Sequence, residues 1–227
     1  MANLSRNPVI AVIGDVVQSR SIPARQRARV QAELEAMMAH INKRYSKAVL
    51  SNFLLTLGDE FQGLLAGLGG GAVPDIVQDM REQIPELRLR LAVSRGVLTT
   101  PVKKTALGMD GPAWHAARDV LERSRSRRDP GGIGVWFTGF GDDDAVLDAL
   151  AGLLGHHWDR LQTTQREVVT ALRHHEGLRR DAATELGISQ QSLSNRAQSA
   201  GAREYASGMD ALRVVLRRHE PKPRTPR

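Results

Sequence analysis

The chain has 227 residues, 41% of them hydrophobic and none of them cysteine, so it can bury one large core or two small ones and can form no disulfide, thiol nucleophile or thiolate metal site. No run approaches the roughly 18 apolar residues of a membrane helix, and MANLSRNPVIAVIGD has neither the apolar core nor the cleavage site of a secretion signal, which predicts a cytoplasmic protein with no membrane partner. The net charge of +7 is uneven: residues 1–154 carry 19 Lys and Arg against 17 Asp and Glu, residues 155–227 carry 13 against 8, and the basic excess of the shorter part suits a nucleic-acid backbone or, equally, a solvated basic face.

Val9-Ile10-Ala11-Val12-Ile13 is short, apolar and partly β-branched, and it predicts a buried strand with Asp15 at its end. After Pro23, the spacing of Val30, Leu34, Met37, Met38 and Ile41 predicts an amphipathic helix. Phe53 to Leu57 and Glu60 to Leu65 read as two strands joined by a tight turn with acids at its tip, followed by a break at Gly69-Gly70-Gly71. A shorter helix runs from Val73 to Ile84, and Leu87, Leu89, Leu91 and Val93 alternate as in a half-buried strand that stops near Gly96. Thr99 to Gly111 is a polar loop, Pro112 opens a helix with Trp114, Ala117, Val120 and Leu121 on its apolar side, and Ile133 to Phe137 is a further strand after Pro130. Asp142-Asp143-Asp144 reads first as the amino-terminal cap of the next helix and second as a metal site. This order predicts an α+β fold, a ferredoxin-like or split βαβ sheet that is antiparallel or mixed, with helices on one or both faces.

Asp15, and Gly58-Asp59-Glu60-Phe61 at the hairpin tip, form the distinctive constellation. If the first strand lies beside the hairpin, both aspartates emerge at one edge as two hard oxygen ligands of the kind Mg²⁺ uses with substrate phosphates. VIGDVVQSR, LTLGDEFQGLL, RLAVSRG and GMDGPAWHAARDVLERS, in that order over residues 8–140, resemble class III nucleotidyl cyclases and their GGDEF relatives. The resemblance implies that Asp15 and Asp59 hold Mg²⁺ or Mn²⁺ on a nucleotide, with Glu60 and Asp110 in the same pocket, Lys103, Lys104 and Arg118 facing phosphates and Trp114 stacking on a base. Turn chemistry for the aspartates, a solvated loop for the lysines and core packing for Trp114 are the competing readings. The family's active members carry an asparagine four residues before the arginine, where this chain has Trp114 before Arg118; loss of that polar donor harms turnover before it harms binding, so no catalytic residue is assigned and a sensor is expected. The alternative is an active nucleotidyl cyclase with an attached DNA-binding module.

From Thr163 a helix behind a threonine cap carries Val168, Val169 and Leu172, and a second runs from Arg179 to Leu186. Gly187-Ile188-Ser189 supplies a turn, with Gly187 left-handed and Ser189 capping the helix from Gln190 to Ala200. Leu193 and Ala197 pack inward, leaving Gln190, Gln191, Ser192, Ser194, Asn195 and Arg196, with Arg179, Arg180 and Ser189, for double-stranded DNA; a module for docking protein is the other reading. LRRDAATELGISQQSLSNRAQSAG resembles the helix-turn-helix of bacterial regulators, and the whole chain resembles the SatD family. The last helix spans Ala206 to Arg218, and His156, His157, His174 and His175 form pairs without carboxylate partners at metal spacing and are expected at the surface or an interface. The divisions expected are a cyclase-like domain over 1–154, an all-α helix-turn-helix domain over 155–220 and a disordered basic tail over 221–227. Together they predict a homodimeric transcriptional regulator that binds a small ligand, a nucleotide or cyclic nucleotide.

Overall fold

The computed structural model of the protein describes residues 7–56, 58–126 and 131–221; Leu57, Pro130 and the tail from residue 222, which figure in the expectations above, lie outside the described residues. Five strands form one sheet in the order β2-β3-β1-β4-β5. β1 (Val9–Val16) runs antiparallel to β3 (Phe61–Leu65) and β4 (Leu89–Gly96), β2 (Val49–Leu55) is antiparallel to β3, and β5 (Ile133–Thr138) is parallel to β4. The class is mixed α+β, as the order of elements predicts. All of β1 is buried because a central strand has cover on both faces: Ile10, Val12 and Val16 join one apolar core, and Val9, Ala11 and Ile13 the other.

Over the first face lie α1 (Ala24–Arg44), α2 (Val73–Gln83), α4 (Asp143–Arg160) and α8 (Ala202–Arg218), which contribute Leu34, Met37, Ile41, Met80, Leu147 and Leu216 to the core. Over the second lies α3 (Pro112–Arg125), with Ala113, Trp114, Ala117, Val120 and Leu121. The segment expected as a polar loop runs along the outer edge of β2. Asn52 N–H donates to Lys104 O at 2.9 Å, Ala106 N–H to Asn52 O at 3.1 Å and Ser51 Oγ to Lys103 O at 2.5 Å, so its backbone satisfies an edge that would otherwise stand open. The aspartate triplet works as a local clasp: Asp144 accepts Gly139 and Phe140 N–H at 3.2 and 2.8 Å, and Asp143 meets His219 at 2.8 Å.

α5 (Thr163–His174), α6 (Arg179–Glu185) and α7 (Gln190–Ser199) enclose a small core of Val168, Ala171, Ala182, Ala183, Leu193 and Ala197. The cap of α5 is Gln162, in a reciprocal box with Gln165, rather than a threonine. A separate all-α domain is not what forms, however. Val169 of the same α5 turns into the main core, and α8 begins at Ala202, four residues before the expected start, and lays Met209, Leu212 and Val215 there too. Gly208 admits that close approach, since a Cβ on it would meet Leu154 Cδ2 at 2.8 Å.

A polar weld reinforces the joint. Asp79 of α2 has a side chain only 3% exposed and accepts Arg173 Nη2 of α5 at 2.6 Å and Tyr45 Oη at 3.0 Å, while His40 Nε2 lies 3.1 Å away and Arg173 also binds Glu82 at 2.5 Å. Tyr205 of α8 donates to Gln78 at 2.6 Å and stacks on His157, which meets Ala200 O at 2.8 Å. His174 and His175 face Glu82 and Glu185 at 3.5 and 2.6 Å, single pairings at the joints of α5 with α2 and with α6. No helix among the described residues is long and apolar enough to cross a membrane.

Burial alone would push the Asp79 carboxyl up, but hydrogen bonds from Arg173, His40 and Tyr45 and the charge of Arg173 outweigh it and hold the group below its ordinary value. The unfolded chain therefore binds the proton more readily, so this contribution is complete above the usual carboxylate range and is lost as pH falls through the folded value. Arg173→Met, which leaves Asp79 and Glu82 without their shared cation, is expected to lower the unfolding free energy by about 3–5 kcal/mol in urea titrations at neutral pH and to flatten the acid-side loss of stability. A loss below about 1 kcal/mol would show that the weld is not what joins α5 to α2.

Candidate functional site

The site begins with a glycine. In the pairing of β1 with β3, Gly14 stands opposite Phe61, and a Cβ on Gly14 would lie 2.4 Å from Phe61 Cζ and 2.5 Å from Leu91 Cδ2. With no side chain at 14 the two strands close up, and the next residue, Asp15, emerges beside the hairpin tip. Gly58 turns that tip with φ +67°, a conformation costly to other residues, and Thr56 N–H closes it on Glu60 O at 2.8 Å. Asp59 Oδ2 then accepts Val16 N–H at 3.3 Å, so the two aspartates, 44 positions apart in the chain, share one sheet edge.

They line a cavity of about 880 Å³, within the range of small-ligand sites, together with Glu60, Arg90, Arg118, Arg125, Gln18, Arg20, Thr56 and Gln62. Its acids and bases are paired in a definite pattern. Arg118 holds Glu60 with two bonds, Nη1 to Oε2 at 3.0 Å and Nη2 to Oε1 at 2.7 Å. Arg125 holds Asp15 Oδ2 with Nε at 3.1 Å and Nη2 at 2.9 Å. Asp15 Oδ1 is buried with no hydrogen-bond donor, and Arg90 Nη1 stands 3.9 Å from it. Burial pushes the Asp15 carboxyl above its ordinary value and Asp59 adds to this, against the opposing pull of Arg125 and Arg90.

A buried carboxylate oxygen without a donor, on a residue that lines a cavity, has the capacity to take a cation or a donor. Among the described residues no group of three or more His, Asp or Glu is placed to hold a metal by itself. A divalent ion here would rest on Asp15 and Asp59 and complete its shell with ligand oxygens and water, which is how Mg²⁺ is ordinarily held beside phosphates.

The other expected pocket residues fall elsewhere. Lys103 and Lys104 are exposed on the segment along β2 and do not line the cavity, and their carbonyls, not their ammonium groups, do the structural bonding. Asp110 pairs with His115 at 2.6 Å in solvent. Trp114 is 7% exposed and packs under α3, so the core reading of that residue is the one the fold adopts. Arg90 and Arg125 were not foreseen. Arg125 follows Arg118 by seven positions on α3, two turns along the same face, and Arg90 stands opposite Asp15 in the β1–β4 register.

On the terminal helices, Gly187 takes φ +63° and Ser189 Oγ accepts Ser192 N–H at 3.1 Å, so the turn and cap form as their chemistry predicts. Gln190, Gln191 and Asn195 are exposed, Ser192, Ser194 and Arg196 half-buried, and Leu193 and Ala197 point inward. Arg179 and Arg180 are exposed at the start of α6, where Arg179 reaches Ser194 Oγ at 3.2 Å.

A model of the SatD family matches residues 9–213. No curated protein matches the chain. Among solved structures it is similar to a bacterial light-regulated adenylyl cyclase, at 14% identity and a TM-score of 0.44 over 57% of this chain and 76% of that one. It is also similar to the non-canonical dimeric guanylyl cyclase domain of the RhoGC fusion protein from the aquatic fungus Blastocladiella emersonii, at 16% identity and a TM-score of 0.42 over 51% and 74%. The guanylyl cyclase Cya2 matches at 13% identity and a TM-score of 0.42 over 57% and 75%.

Proposed function

This chain belongs to the SatD family, and we propose that its cavity binds a nucleoside triphosphate together with a divalent cation. The observation that carries the reading is the alternation of charge around one hollow: Asp15, with a buried oxygen that has no donor, Asp59 and Glu60 stand among Arg118, Arg125, Arg90 and Arg20. Carboxylates at the end of a strand suit a hard cation, and guanidinium groups with their fork of donors suit phosphate oxygens. Bound there, the cation would neutralise phosphate charge and polarise the phosphoryl group. The chain's own part is to hold Asp15 and Asp59 at fixed positions and to set the arginines against the phosphates.

Cyclisation of the nucleotide is the sharper alternative on the same residues, and Trp114, buried away from the cavity, contributes no polar group towards it. A screen of ATP, GTP, CTP and UTP with Mn²⁺ separates the two. The expected result is a rise in melting temperature with one or more nucleotides that requires the metal and is absent in Asp59→Ala. Release of pyrophosphate, abolished by the same substitution, would make the protein a nucleotidyl cyclase; no metal-dependent rise with any nucleotide would refute the site.

A second reading attaches to α5–α7. The specific observation is that α7 buries only Leu193 and Ala197 while its amide, hydroxyl and guanidinium side chains stand on the outer face of a small closed core, with two arginines at the start of α6. Gln and Asn reach adenine and Arg reaches guanine in the major groove, so this face suits double-stranded DNA, and a pair of chains related by a two-fold axis would suit a palindromic site. On random duplex fragments, Arg180→Ala is expected to weaken binding and reduce the dependence of log affinity on log salt by about one unit. No binding at 50 mM salt would refute it.

A further inference from the structure

The geometry points to Arg125 as a resident counter-ion that exchanges partners: a divalent cation takes its place on Asp15, and its guanidinium turns to the phosphates that arrive with the metal. This rests on the nucleotide reading above and adds to it a coupling between metal and nucleotide.

The Asp15 side chain is 9% exposed, and its two oxygens are unequal. Oδ2 receives both Nε and Nη2 of Arg125, while Oδ1 is buried with no donor, Arg90 standing off at 3.9 Å. A cation placed on Oδ1 while Arg125 still holds Oδ2 would need the groups that shield that oxygen to give way. It would then share one carboxylate with a guanidinium and lie near Arg90, an arrangement of like charges that disfavours metal alone. A triphosphate alone meets the opposite obstacle, because Asp15, Asp59 and Glu60 face it. When both enter, the charges alternate: carboxylates on metal, metal and guanidinium on phosphate.

Arg125 is built for such an exchange. It is the last residue of α3, its side chain is 45% exposed, and its remaining Nη1 rests on Glu122 one turn back, so the head group has room to swing without disturbing the core. Arg118 differs in that its carboxylate partner is Glu60, so an ion arriving on Asp15 does not displace it.

Reciprocity makes this measurable, since whatever factor nucleotide adds to metal affinity, metal adds to nucleotide affinity. The test uses the full chain and two substitutions, Arg125→Gln and Arg125→Lys, with Mn²⁺ titrated and free ion read by electron paramagnetic resonance, alone and in the presence of the β,γ-imido analogues of ATP and GTP in separate runs. In the unsubstituted protein the analogue is expected to tighten Mn²⁺ by about tenfold or more. In Arg125→Gln, Mn²⁺ alone binds several-fold more tightly and the tightening by analogue is largely lost; in Arg125→Lys, which keeps a charge without the fork, part of it returns. If Arg125→Gln binds Mn²⁺ alone no better while the analogue still tightens the metal as in the parent, the exchange is wrong and the nucleotide site stands. If no analogue affects Mn²⁺ in the unsubstituted protein, the nucleotide site fails and the exchange with it. Urea midpoints of all three proteins show whether a substitution has merely unfolded the chain.

Discussion

The register of one strand pair underlies the rest of the structure. Setting Gly14 against Phe61 fixes where β1 ends relative to the β2–β3 hairpin, and a slip of one residue would send Asp15 to the opposite face of the sheet and Val16 into the cavity. No direct bond joins Asp15 to Asp59, since like charges repel. The ladder does, helped by the Val16 N–H that Asp59 accepts. The apolar alternation of β1 into two cores supplies the free energy that keeps the acids there.

Two charged clusters in the molecule show what distinguishes a structural network from a site. Around Asp79 and Glu82 every carboxylate has close donors, and Asp79 is held in its charged form by the groups that surround it. The cluster sits between α2 and α5, where removing Arg173 takes away the cation that Asp79 and Glu82 share. Around Asp15 the donors are incomplete and burial works against the charge. A half-satisfied carboxylate on a residue that lines an open hollow is the feature on which the proposed site rests.

Much of this was readable from residues alone, and the misses have physical causes. β1, the hairpin and the helices that carry Leu34 to Ile41 or Leu212 to Leu216 follow from periodicity, because burial on one or two faces leaves a repeating trace. The convergence of Asp15 and Asp59 followed from placing a strand next to a hairpin. Arg90 did not, because its partner is known only once β1 and β4 are paired. Trp114 recurs with Ala117 and Leu121 at helical spacing, a signal for the core that the sequence already held. Lys103 and Lys104 act through backbone carbonyls, which leave no side-chain pattern. The adjacent valines of α5 looked like one stripe, yet residues a hundred degrees apart on a helix can serve two cores, and Val168 and Val169 do. That sharing explains why the terminal helices are joined to the sheet rather than set apart from it.

The central claim is that Asp15 and Asp59 share a cation and that the arginines opposite them take phosphate. A crystal grown with Mn²⁺ and a non-hydrolysable triphosphate tests it most directly. The account predicts an anomalous manganese peak bonded to oxygens of both aspartates, with phosphate oxygens towards Arg118 and Arg125. Nucleotide bound with its phosphates away from both aspartates, or manganese seated on other residues, would contradict it.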